Sequence, residues 1–388
     1  MDLHHPAVHG KHRRKLTRRR ITLIGLALAL LAGVVVGTVL WPRGPASSDG
    51  PEEAVPTAGG DGGTSHDGHA QTPEETAPAT PAASVATPEV GEAVATGMAP
   101  HHMAVAPDGR FAYIADPVAG AVIRIDTTSG GATRTIPIPE APPEMVTFAP
   151  DGRRAYVSAY DEEYTVNYVI TLNTDTDTAI RATAVARGPY AAATTLDGRL
   201  LYIPYFDDDH VDVLDTSSGA MVAKIPAKPC PHWVAFTHDG RFAYTTNHFS
   251  DVVTVLELEG NTVVTTIPVG DGPHSLEISP DGTRLALVNY ISGDVSVIDT
   301  KTNAVVSTVP AVGAGPQDIT YAPDGRHFYT ANVDDGTVSV VDAVSGEVTA
   351  RIPTGDSPTS VAVTPDGRRA LVTNFGDGTV RLLDTAGG

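Results

Sequence analysis

The chain is poor in several features that would assign it to common protein classes. It has one cysteine, Cys230, in 388 residues, so no internal disulfide is available and stability must come from packing. Positive charge is also scarce. Lys and Arg number 26 against 46 Asp and Glu, and seven of the 26 fall in the first twenty residues with one Asp, which leaves residues 21–388 with 19 basic and 45 acidic side chains. A domain of that sign repels phosphate backbones, which argues against nucleic acid as a partner. There is no G-x-S-x-G elbow, no H-E-x-x-H pair and no glycine-rich loop opening a helix, so the usual signatures of hydrolytic, zinc-protease and phosphate-binding sites are missing. Aromatic residues make up only 6% of the chain, yet hydrophobic residues make up 41%, enough for a substantial core.

One long apolar run is present. Residues 21–40, ITLIGLALALLAGVVVGTVL, are uncharged and at about 1.5 Å per residue span roughly the hydrocarbon thickness of a bilayer. Lys11, Arg13, Arg14, Lys15, Arg18, Arg19 and Arg20 precede it and Trp41 follows it. That charge bias predicts a single-pass transmembrane anchor over 21–41, with a basic cytoplasmic segment at 1–20 and the rest of the chain extracellular or periplasmic. The alternative is a cleaved export signal, because TRRRIT resembles the twin-arginine pattern. Residues 42–86, rich in Pro, Gly, Ala, Thr and acids, have too little apolar surface to offset the entropy of ordering and read as a disordered linker. His66 and His69 within it read as solvated polar residues.

Everything after the linker repeats. Asp-Gly pairs begin at Asp108, Asp151, Asp197, Asp239, Asp281, Asp324 and Asp366, spaced by 43, 46, 42, 42, 43 and 42 residues, and a fixed period in this range marks a repeat architecture. Each unit holds short alternating runs, such as SVAVT, RALVTN and TVRLLD, separated by Asp-Gly and Gly-Asp-Gly turns. This is the pattern of a four-stranded meander, and seven of them predict an all-β, seven-bladed propeller over 87–388. The last unit stops after three strands, and residues 89–95, EVGEAVA, lie where its fourth belongs. The N-terminal segment is therefore expected to complete the seventh blade.

The segments LALVNYISGDVSVIDT, FYTANVDDGTVSVVDA and ALVTNFGDGTVRLLDT, each after an Asp-Gly turn, resemble the repeats of YVTN-type, or YncE-like, β-propeller proteins of bacterial periplasms and archaeal surface layers. The resemblance implies an extracytoplasmic binding or surface role. Asp116, Ala159 and Tyr205 depart from the asparagine that later units carry as Asn247, Asn289, Asn332 and Asn374. We expect those asparagines to satisfy turn backbone.

A meander whose first strand is innermost puts the Asp-Gly turns on one face, and the entry loops with the loops between second and third strands on the other. The position after the entry proline reads His101, Glu144, Tyr190, His232, His274, Gln317 and Thr359 around the ring. This is the expected mouth of the central channel and the candidate ligand site, with His102 beside His101 and Cys230 near His232. His101, His232 and His274 are candidate ligands for a transition metal such as Zn or Cu. Asp161, Glu162 and Glu163 in one loop and Asp207, Asp208, Asp209 and His210 in the next form a candidate rim for Ca²⁺ or a basic partner. Tyr160, Tyr190, Tyr205, Phe206, His248, Tyr290 and Phe375 are expected to add stacking surface. The overall expectation is a membrane-tethered binding module for an envelope protein or small ligand. The alternatives are a metal- or haem-dependent envelope enzyme and a lactonase-like hydrolase.

The topology is directly testable. External protease added to intact cells expressing the full chain should cut within 42–80 and release the repeat domain whole; a domain protected until the membrane is lysed would contradict the predicted orientation.

Overall fold

The computed structural model describes residues 80–387, all of whose regular elements are β-strands. They form seven four-stranded antiparallel sheets, or blades. Blades 1 to 6 occupy residues 103–137, 143–184, 193–226, 231–268, 273–309 and 316–353. Blade 7 combines the strands Pro358–Val363, Arg369–Asn374 and Thr379–Ala386 with the N-terminal strand Ser84–Ala95, which pairs antiparallel with Thr379–Ala386. The N-terminal strand is longer than the expected 89–95. Among the described residues no helix is long and apolar enough to cross a membrane; the predicted anchor, the basic segment and most of the linker lie outside them.

Closure is reinforced at the start of that strand. Ser84 is buried and reaches blade 6, where its amide donates to Asp324 Oδ2 at 2.6 Å, and its hydroxyl lies 2.8 Å from Asp324 Oδ1 and 2.7 Å from His327 Nδ1. Although Ser, His and Asp meet here, the serine sits between the other two. The hydroxyl bridges them and is not poised as a nucleophile.

Alternation along each strand gives both sheet faces apolar residues, because each blade is covered by two neighbours. The core accordingly lies between blades: Tyr113, Val122 and Ile136 of blade 1 pack on Val146, Val157 and Leu172 of blade 2, and Met103, Ile114 and Ile125 pack on Leu371 and Val380 of blade 7. Tyrosine hydroxyls bolt adjacent blades together. Tyr113 donates to Asp177 at 2.5 Å, Tyr202 to Asn261 at 2.6 Å and Tyr244 to Asn303 at 2.6 Å. Each acceptor is a turn residue of the next blade with φ of 51 to 54°, a conformation that Asn and Asp tolerate better than other side chains.

All seven Asp-Gly glycines have φ between 65 and 73°, the left-handed region that favours glycine. The asparagines are structural; three of them donate to backbone as expected, whereas Asn289 donates to Asp294 Oδ1 and Ser296 Oγ at 2.6 and 2.9 Å. Asn247, Asn289, Asn332 and Asn374 are fully buried; Asn247 donates to Lys228 O at 2.6 Å, and Asn374 to Thr354 O at 3.2 Å and Thr379 Oγ1 at 3.0 Å. In blade 1, Asp116 reverses the polarity and accepts from the amides of Met98 and Ala99 at 2.7 and 3.0 Å. Asn332 also dictates its neighbour, since a Cβ on Gly313 would fall 2.3 Å from its Cγ.

Replacing Ser84 by Ala keeps the backbone amide bond to Asp324 but leaves the buried His327 Nδ1 without its hydroxyl partner, an expected loss of about 1–3 kcal/mol. Thermal unfolding of the full chain checks this; an unchanged midpoint would mean that the strand pairing alone closes the ring.

Candidate functional site

The seven mouth positions do come together at one end of the channel, but as a plug. His101, Tyr190, His232, His274, Gln317 and Thr359 are all buried, and Glu144 is only 21% exposed. They divide into two groups. On one side His101 Nδ1 lies 3.0 Å from Glu144 Oε2, and Gln317 Nε2 lies 3.3 Å from His101 Nε2. An Nδ1–H donating to Glu144 and an Nε2 accepting from the Gln317 amide satisfies all three. Gln317 belongs to blade 6 and His101 to blade 1; they meet because blade 7 places only the small Thr359 between them, its hydroxyl donating to His101 O at 2.6 Å.

The other group is built of rings. The His232 centroid lies 4.6 Å from His274, 4.9 Å from His248, 4.4 Å from Tyr190 and 4.7 Å from Phe206, and Cys230 Sγ lies 3.5 Å from His232 Nδ1. Burial, then the neighbouring His274 and His248, hold the His232 pKa well below the ordinary value, so this imidazole is neutral at physiological pH. Rings packed at these distances present π-faces together with imidazole nitrogens.

His101 lies with Glu144 and Gln317, away from that group, and the expected trio His101, His232 and His274 does not form a convergent donor set. The single set of three metal-type donors among the described residues is Asp208, Asp209 and His210, in the rim loop of blade 3. The rest of the expected rim has other work. Asp161 caps its own loop, accepting from the amides of Thr165 and Val166 at 2.6 and 2.9 Å, Asp207 pairs with Arg187 at 3.2 Å, and Glu162 and Glu163 are exposed.

Two further expectations change. Tyr205 is fully buried, its hydroxyl donating to Asp212 Oδ2 at 2.9 Å, because it occupies the strand position that later blades give to the buried asparagine. His102 points from the mouth into the channel, where strand alternation sends it, with its ring 5.3 Å from Trp233. Its Nδ1 accepts from the Val146 amide at 3.3 Å. Burial, with a contribution from His101, lowers its pKa to about 3.

Rings do reach solvent over the second group. Phe206, His248 and Tyr290 are half-buried, while Phe249 is 44% and Ile291 51% exposed. Phe249 lies 5.8 Å from Phe206 and 5.1 Å from His248. The sequence reading missed Phe249 and Ile291, although each directly follows an aromatic or imidazole residue after the buried asparagine, in NHF and NYI.

Below the plug the channel holds a cavity of about 420 Å³, lined by His102, Trp233, Leu276, Glu277 and Asp318 and reaching Leu196 and His238 near the Asp-Gly turns. Asp318 is buried and fully occupied, accepting from Ser275 Oγ, Ser360 Oγ and the Val361 amide at 2.7, 2.8 and 3.0 Å. It ties blades 5, 6 and 7 together. Glu277 faces the cavity and accepts from the Tyr321 amide at 2.6 Å; desolvation raises its pKa to about 7.

This architecture defines a seven-bladed propeller with a ring-rich, plugged face and a channel opening toward the other. The chain belongs to the YNCE-like β-propeller family, whose model matches residues 78–332. No curated protein matches it. Among solved structures it is similar to Kuenenia stuttgartiensis hydrazine synthase, with a TM-score of 0.67 and 22% identity over 75% of this chain and 96% of that one. At that identity the likeness concerns the fold.

Glu277 generates a prediction about pH. Its pKa is raised on folding, so its contribution is full below the unfolded value of about 4.5 and is lost as pH rises through about 7. Glu277→Gln should match the wild type near pH 4.5 and exceed it by about 1–3 kcal/mol above pH 7.5, the range reflecting screening by channel water. Parallel stability curves across pH would show that the carboxylate is not desolvated.

Proposed function

We propose that the chain is an extracytoplasmic binding module, tethered to the membrane through residues 21–41, that takes a ligand combining a planar or apolar group with positive charge. The observation that carries this reading is the run of solvent-reaching rings from Phe206 through Phe249 and His248, flanked by Tyr290 and the exposed Ile291, over the neutral imidazole of His232. Exposed apolar residues gathered in this way favour binding over packing. Aromatic faces attract cations by about 0.5–2 kcal/mol each, a neutral His232 adds no repulsion, and the acidic surplus of residues 21–388 favours the same sign of ligand. The exposed carboxylates of Glu162, Glu163 and Asp209 stand in loops of the same face. An envelope protein presenting a basic, aromatic segment and a small planar cation both fit this chemistry.

Full-length protein in mild detergent, titrated with a planar cationic dye and its neutral and anionic counterparts, tests the reading. The cation should bind preferentially and more weakly in high salt. The double variant Phe249→Ser/Ile291→Ser should lower its affinity about tenfold without moving the melting temperature. Binding that ignores charge, or that survives the double variant intact, would contradict it. A Soret band in the purified protein would instead support the cofactor-dependent alternative.

A further inference from the structure

The rim loop of blade 3 contains a donor arrangement that the ring-rich surface does not use. One oxygen each from Asp208 and Asp209 and one ring nitrogen of His210 lie within 4.8 Å of one another. The histidine is the unusual member. It is 1% exposed, and neither ring nitrogen forms a hydrogen bond among the described residues, although Nδ1 lies 3.2 Å from Asp208 Oδ1 and Nε2 lies 3.4 Å from Asp212 Oδ1. A buried imidazole whose nitrogens lie beside carboxylates without hydrogen-bond geometry keeps a ring nitrogen available to a further partner. With bonds of about 2.1 Å, neighbouring ligands are about 3.0 Å apart in an octahedron and about 3.4 Å apart in a tetrahedron; the 3.2 Å between His210 Nδ1 and Asp208 Oδ1 falls in that range, and an Asp209 oxygen lies within 4.8 Å of both ligand atoms.

The surroundings match as well. Asp212 Oδ1 faces the far nitrogen, and its Oδ2 accepts the Tyr205 hydroxyl at 2.9 Å, which is the arrangement of a ligating histidine whose second nitrogen is oriented by a carboxylate. Backbone bonds fix the loop: Cys230 donates to Asp208 O at 3.0 Å and Ala227 to Asp209 O at 2.8 Å. Asp209 is exposed and Asp208 half-buried, leaving the outer coordination positions to water.

We infer that Asp208, Asp209 and His210 form a binding site for a divalent transition cation of the zinc type, with Asp212 as the positioning residue behind His210. The imidazole sets the class. An all-oxygen loop would suit calcium, whereas one nitrogen and two carboxylates favour zinc, cobalt or nickel.

The test uses the full-length protein and zinc or calcium chloride. Because His4, His5, His9, His12, His66 and His69 also offer imidazoles, total uptake is less informative than the melting temperature of the β-domain, which rises only when the ion binds its folded form. Zinc should raise that temperature and calcium should raise it much less. Asp208→Asn/Asp209→Asn, which keeps an oxygen to accept the Asp209 amide, should abolish the rise while leaving the metal-free midpoint in place. Asp212→Asn should weaken zinc binding about tenfold. The inference is overturned if zinc produces no rise, if calcium matches it, or if the rise persists in the aspartate double variant and disappears instead in His232→Ala/His274→Ala.

Discussion

The structure depends on closing a ring. Blade 7 has only three strands from the C-terminal repeat until the N-terminal strand Ser84–Ala95 pairs with Thr379–Ala386 and ties the two ends of the domain together. No disulfide is available to do this. Backbone pairing, the Ser84 contacts with Asp324 and His327, and the packing of blade 7 on blade 1 do it. Closure pairs the edge of Thr379–Ala386, which would otherwise be open to intermolecular strand addition, and leaves each blade only short outer edges. It also brings the first and last repeats together, which is how His101 comes to meet Gln317, 216 residues further along the chain.

Once closed, the ring has two chemically different ends. The Asp-Gly turns at one end are held by glycine conformation and by local aspartate caps such as Asp281, which accepts from the Thr283 amide. The other end carries variable residues, and there the first layer of side chains seals the channel while the second presents rings and carboxylates to solvent. Burial keeps His232 and His102 neutral. His232 therefore adds no positive charge beneath the acidic loops of that end.

Much of this was legible because it depends on period and local chemistry. The Asp-Gly spacing predicts seven blades, the missing last strand predicts where the N-terminal segment pairs, and the asparagine before each loop predicts a backbone role that Asn247 and Asn374 fulfil. Position around a ring, however, does not say how far a side chain reaches. His101 and His232 occupy equivalent positions, yet one bridges past Thr359 to Gln317 while the other stacks on His274, a difference set by the size of neighbours in other blades. Tyr205 reads as a rim aromatic, but its register sends it into the core. The pairing of His210 with Asp208 and Asp212 similarly requires the loop's backbone path, which composition does not reveal.

The central claim is that the ring-rich end is the recognition surface and the turn end is scaffold. Hydrogen–deuterium exchange of the full-length protein, with and without a bound planar cation, tests it most directly. Protection confined to residues 206–210, 248–251 and 290–293 is the predicted result. Protection around Leu196 and His238, where the channel cavity reaches the turn end, would contradict the account and move the binding site into the channel.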